Sequence, residues 1–108
     1  MTGEEYSLHA SVSNLFGFKQ VEIHHEIVLP GRRASRKHFH TQREELILVL
    51  EGQVIAHLSS GNVTLKRGDV LGFIPGAQSA HHVENHADAP AHLIVIASNP
   101  CTDEVIYV

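Results

Sequence analysis

Nowhere in this chain does a helical stripe appear. In windows of eleven or more residues the apolar positions do not recur at spacings of three and four. Period two recurs instead. Val21, Ile23, Ile27 and Leu29 share one parity, Glu22, His24 and Glu26 the other, and Val28 breaks the pattern. Such alternation marks a half-buried strand. Pro30, Pro75, Pro90 and Pro100 fall between the apolar segments, where strands end. Residues 45–51 read as a strand that is apolar on both faces. Further strands are predicted at 53–58, 63–66, 70–74, 80–85, 91–98 and 104–108, with a hairpin turn at Ser59-Ser60-Gly61-Asn62. Many short strands at spacings of about 8–12 residues predict one all-β domain, a jelly roll or a small closed barrel.

A 108-residue chain that is 43% hydrophobic can bury one core, so the expectation is a single domain over 1–108, with residues 1–15 as an N-terminal arm. The longest aliphatic runs, 46–50 and 93–97, have five residues each. A membrane helix needs about 20, so no membrane partner is expected. Residues 1–10 lack the basic and apolar regions of a secretory signal. The single cysteine, Cys101, excludes an internal disulfide and any Cys-rich zinc motif, which fits a cytoplasmic setting. A formal charge of −4 argues against nucleic acid as a partner. Within that acidic balance, Arg32, Arg33, Arg36, Lys37 and Arg43 concentrate five of the eight basic residues. They would either attract an anionic substrate or form a solvated loop balanced by Glu44, Glu45 and Glu51, and the second reading is preferred.

Histidine is the compositional anomaly, with ten residues and no tract at either end. His38 and His40 are two apart, so on a strand both imidazoles face the same side while Phe39 faces the other. Glu45 follows at the start of an apolar strand, and His81 lies in another. Three imidazoles and a carboxylate suit one divalent ion: Fe, Mn, Ni, Co or Zn. A His-x-His pair alone is often only a polar strand face. No Gly-x-Ser-x-Gly elbow is present to support a nucleophilic triad.

The run Gly31, His38-Phe39-His40, Glu45, Gly52 resembles the first motif of the cupin superfamily. Gly68-Asp69-Val70-Leu71-Gly72-Phe73-Ile74-Pro75-Gly76 followed by His81 and Asn85 resembles the second. Together the motifs cover residues 31–85. The resemblance implies a double-stranded β-helix barrel and a metal held by His38, His40, Glu45 and His81. Glu44 rivals Glu45, and His82 rivals His81. The six residues between Glu45 and Gly52, and the three between His81 and Asn85, favour Glu45 and His81. Three departures stand out: the first glycine lies one residue further from His38 than usual, Ile74 replaces a common proline, and four residues rather than two separate Gly76 from His81.

The resemblance implies a metal-dependent enzyme of dioxygenase, isomerase or lyase type acting on a small oxygen-bearing substrate. The alternative is a non-catalytic cupin that senses a small molecule or binds metal. A homodimer is expected from the resemblance and from the two-sided apolar strand at 46–50. Of the other histidines, His25 shares parity with Ile23 and Ile27 and is the better inward candidate on its strand. His57 is a candidate cavity residue, against a preferred reading as a partly exposed one. His9, His86 and His92 are read as surface residues. Gln78 and Ser79 are candidates for the barrel mouth, and Cys101 has no legible role.

Overall fold

The computed structural model describes residues 3–108; residues 1–2, the start of the expected arm, lie outside the described residues. Its strands follow from alternation that the apolar sequence partly hides. In β9 (Ala91–Ser98) nearly every residue is apolar, yet burial alternates strictly, with Ala91, Leu93, Val95 and Ala97 inward. β2 (Val21–Val28) pairs antiparallel with it, setting Val28 opposite Ala91, Glu26 opposite Leu93, His24 opposite Val95 and Glu22 opposite Ala97. On its other side β9 pairs with β4 (Glu45–Glu51), where Glu45, Ile47 and Val49 face inward. β1 (Leu8–Ser11) and β7 (Val70–Phe73) complete a five-stranded sheet in the order β1-β2-β9-β4-β7.

The second sheet has the order β10-β3-β8-β5-β6, built from β3 (His38–His40), β5 (Gln53–Leu58), β6 (Gly61–Lys66), β8 (His81–Glu84) and β10 (Val105–Tyr107). The two antiparallel sheets face each other over a core that includes Val28, Val49, Val54, Ala56 and Leu93. Each large aliphatic side chain fully buried there contributes about 1.5–3 kcal/mol. This is the expected jelly-roll, double-stranded β-helix architecture. One short helix, α1 (Val12–Phe16), is capped by the Ser11 hydroxyl, which accepts from the Asn14 amide at 3.2 Å, and ends at Gly17 in the left-handed region. Its five residues are too few for a periodic signal.

Gly52 makes the β4–β5 turn at φ 80°, and a Cβ there would lie 2.9 Å from the Pro90 carbonyl oxygen. No L side chain fits that backbone without moving β9. Of the four residues between Gly76 and His81, three form a 3-10 turn, Ala77–Ser79, which absorbs the extra length and delivers His81 opposite His38.

Apolar side chains also cover the outer face of the first sheet. Leu46 is 36% exposed, Leu8 54% and Val70 56%. On β2, Val28 is fully buried and the isoleucines face outward, which corrects the parity expected from sequence. The inward positions of β2 at this end hold Glu22, His24 and Glu26, because here the space between the sheets is polar.

Candidate metal centre

The polar end of the barrel is assembled from three strands and a turn. β3 contributes His38 and His40, β4 opens with Glu45, and β8 opens with His81. In each imidazole the Nδ1 edge is already engaged. His38 Nδ1 lies 2.7 Å from the Arg36 carbonyl oxygen and His81 Nδ1 2.7 Å from that of Ser79. His40 Nδ1 lies 2.8 Å from Asp103 Oδ2. Carbonyls and carboxylates only accept, so each Nδ1 donates its proton, and Nε2 is the nitrogen left to take a metal. His81 Nε2 is 3.4 Å from Glu45 Oε1, and His40 Nε2 is 3.9 Å from Glu45 Oε2.

Ligand atoms of His38, His40 and Glu45 all lie within 4.8 Å of one another. His81 joins them through Glu45 and through His38, its ring centroid 4.9 Å from that of His38. It is steadied by stacking on Phe73 at 3.6 Å. Three of the four residues expected from the sequence, His38, His40 and Glu45, therefore converge, and His81 lies beside Glu45 and His38. Glu44 is exposed, and His82 points away from the cavity. Neutral imidazoles with fixed lone pairs and one carboxylate form a donor set that fits a divalent transition ion.

His38, Glu45 and His81 line a cavity of about 160 Å³ with Glu26 and aliphatic walls that include Ile47, Val83 and Leu93. Glu26, Ala34, Glu45 and Val95 also line a wider vestibule of about 550 Å³.

The family of cupin domains matches residues 24–97. The chain belongs to the cupin family. Among solved structures, a sugar phosphate isomerase from a cupin superfamily, from Silicibacter pomeroyi, is similar at 25% identity and a TM-score of 0.86. The match covers 93% of this chain and 65% of that one, so the chain spans less than two thirds of that protein's length. The polyketide cyclase RemF from Streptomyces resistomycificus shares the cupin fold at 20% identity and a TM-score of 0.83, over 98% of this chain and 73% of that one. So does the cupin domain of an XRE family transcriptional regulator from Enterobacter cloacae, at 16% identity and a TM-score of 0.73, over 89% and 99%. No curated protein matches the sequence. Among the described residues no helix is long and apolar enough to cross a membrane.

Other sequence expectations for this cupin are met or corrected. His24 lines the vestibule; His25 faces outward, 3.1 Å from His92. His57 is partly exposed, as the preferred reading had it, because Val54 and Ala56 take the inward parity of β5. His9 is exposed, as expected, and stands at the rim of the vestibule with Tyr6 and Ser7. Gln78 and Ser79 line a separate pocket, and what Ser79 gives the centre is its carbonyl. The basic residues form ion pairs, but with partners other than those expected: Arg32 with Glu5 at 2.8 Å, Arg33 with Glu4 at 2.7 Å and Arg43 with Glu22 at 3.3 Å.

Two residues of the centre escaped the sequence reading. Asp103 holds His40 from 63 positions away. Glu26 sits on the cavity wall with Ser7 Oγ 2.6 Å from its Oε1. The alternation of β2 displayed Glu26, but it was assigned to the wrong face.

Burial raises Glu26 above the ordinary 4.5, and the Glu45 carboxylate adds to this against the Ser7 hydrogen bond. Burial also pushes Glu45 up, but His81, His40 and His38 outweigh it and hold Glu45 below 4.5. His38 is lowered below 6.5, chiefly by burial. The signs oppose one another. The depressed groups stabilise the fold above their unfolded values, and this is lost as pH falls through their folded values. Glu26 stabilises it below 4.5, and this is lost as pH rises through its higher folded value. Glu26→Gln is therefore expected to gain stability on the parent chain as pH rises above 4.5. Urea midpoints measured with chelator present at pH 4, 6 and 8 check this, and a difference independent of pH overturns it.

Proposed function

We propose that this cupin binds one divalent metal ion through His38, His40, Glu45 and His81, and is a metal-dependent enzyme that moves a proton on a small oxygen-bearing substrate. The observation that carries the reading is the engagement of all three Nδ1 edges, which leaves three lone pairs beside one carboxylate. Bound there, the ion would supply a Lewis acid that polarises a substrate oxygen. The chain's own residues do the rest. Asp103, Ser79 and Arg36 fix the tautomers of the three rings. The aliphatic wall excludes water from the floor of the cavity. Glu26, whose carboxyl holds its proton more tightly than an ordinary glutamate because it is buried, is the group that gives up and recovers a proton, so Glu26→Gln keeps metal affinity and loses turnover.

Glu26 favours isomerase or lyase chemistry over oxygenation, and the name of the Silicibacter relative agrees in class. We read the whole chain as one cupin domain that pairs as a homodimer through the apolar outer face around Leu46, Leu8 and Val70. The test begins with untagged protein. Metal analysis comes first, then reloading with Fe, Mn, Ni, Co and Zn in turn. Conversion of small hydroxy-carbonyl compounds and sugar phosphates is followed by NMR, oxygen uptake by electrode and dimerisation by sedimentation. Turnover lost in His38→Ala supports the proposal. Metal retained equally by His38→Ala sinks it, metal-dependent oxygen uptake makes the protein an oxygenase, and tight binding without turnover makes it a sensor.

A further inference from the structure

The opposite face of β8 carries a second group of donors. His82 and Glu84 alternate with His81 and Val83, so they project outward, and His86 continues the same parity just past the strand. His57, from β5, sits directly opposite His82. Glu84 is their hub. Its Oε1 is 2.6 Å from His57 Nε2, and its Oε2 is 3.0 Å from His86 Nε2. The ligand atoms of His57, Glu84 and His86 all lie within 4.8 Å of one another.

From this geometry we infer a second divalent-metal site on the outside of the barrel, with His57 Nε2, a Glu84 carboxylate oxygen and His86 Nε2 as its ligands and zinc as the type of ion. Three features point to it. First, His57 Nε2 is shielded from solvent and pressed against Glu84 Oε1, yet it lacks the alignment of a hydrogen bond. Second, His82 stacks on His57 at 4.3 Å and 9°, which holds the ring so that its Nε2 stays against Glu84. A neighbour that orients a ligand ring in this way stiffens a metal site. Third, the nearest arginine is already occupied: Arg33 donates to both oxygens of Glu4, at 2.7 and 2.9 Å.

Two imidazoles and a carboxylate leave a coordination position for water, a donor set that zinc favours over calcium or magnesium. Ligand atoms in a tetrahedral zinc site lie roughly 3.4 Å apart, given bonds near 2.1 Å. The His57 Nε2–Glu84 Oε1 and His86 Nε2–Glu84 Oε2 distances of 2.6 and 3.0 Å would each open slightly to reach that value, and the His86 side chain, 56% exposed, has room to do so. The site shares no ligand with the interior centre, because His81 and His82 leave β8 on opposite faces.

The test is a zinc titration of the chelator-stripped full chain in competition with a chromophoric chelator. His86→Ala and His57→Ala are each expected to bind one equivalent fewer than the parent chain. His40→Ala should lose a different equivalent, and His40→Ala with His86→Ala should lose both. If the interior reading alone is wrong, the parent chain binds a single zinc that His86→Ala removes and His40→Ala does not. Should His86→Ala bind as many equivalents as the parent chain, at unchanged affinity, the outer site is overturned.

Discussion

If the interior centre binds a divalent metal as proposed, His40→Ala is expected to weaken that binding by more than roughly 100-fold and Asp103→Asn by about 10- to 100-fold, the usual cost of losing an outer-shell partner. The two effects have different causes. Alanine removes a donor. Asparagine leaves the imidazole in place but can turn an amide N–H toward Nδ1, where a carboxylate oxygen now accepts at 2.8 Å. The ring then favours the tautomer with its proton on Nε2, the atom the metal needs. Asp103 Oδ1 also accepts from the Gln42 and Arg43 amides, both at 2.9 Å, so the carboxylate is itself held still. These bonds and His40 hold Asp103 below the ordinary 3.8 of an aspartate despite burial, so it stays ionised throughout the neutral range. A chelator competition at pH 7 reads both variants, and Asp103→Asn binding as tightly as the parent chain would refute the tautomer argument.

Asn85→Ala is expected to be the most damaging single change to the fold, costing about 3 kcal/mol. Asn85 is fully buried. Its Nδ2 donates to the carbonyls of Val28 and Ala89, each at 2.8 Å, and its Oδ1 accepts from the Ala87 amide at 2.8 Å. Alanine strands two acceptors and a donor, the Val28 carbonyl buried and the Ala89 carbonyl and Ala87 amide partly so, each worth about 1 kcal/mol. For a domain of this size that lowers the melting temperature by roughly 15 °C. Asn85→Asp does not rescue, because a carboxylate cannot donate to two carbonyls. Thermal and urea unfolding measure the loss; a cost below about 1 kcal/mol would mean the loop at 85–89 can rearrange to satisfy itself.

What could be read from the sequence was whatever local spacing encodes. The His-x-His pair on one strand face, Glu45 ahead of Gly52 and His81 ahead of Asn85 were all legible, and so was the two-sheet barrel. Asp103 was not, because no local pattern links a turn residue to a ring 63 positions away. The faces of β2 misled for a different reason. Sequence parity says which side chains lie together but not which side is the interior. The rule that apolar means inward fails where the interior is a polar cavity and the outer face is coated with isoleucine. Parity read this way turns His25 inward and hides Glu26.

The Asp103–His40 contact also bears on the order in which the molecule matures. A ribosome making this protein releases all four interior donors well before residue 103. Until then the His40 ring is free to choose either tautomer. On the proposed metal-binding reading, a nascent chain that meets metal early would coordinate it with whichever nitrogen comes to hand, and the timing of metal supply during synthesis would then be a variable in how much correctly assembled protein a cell obtains.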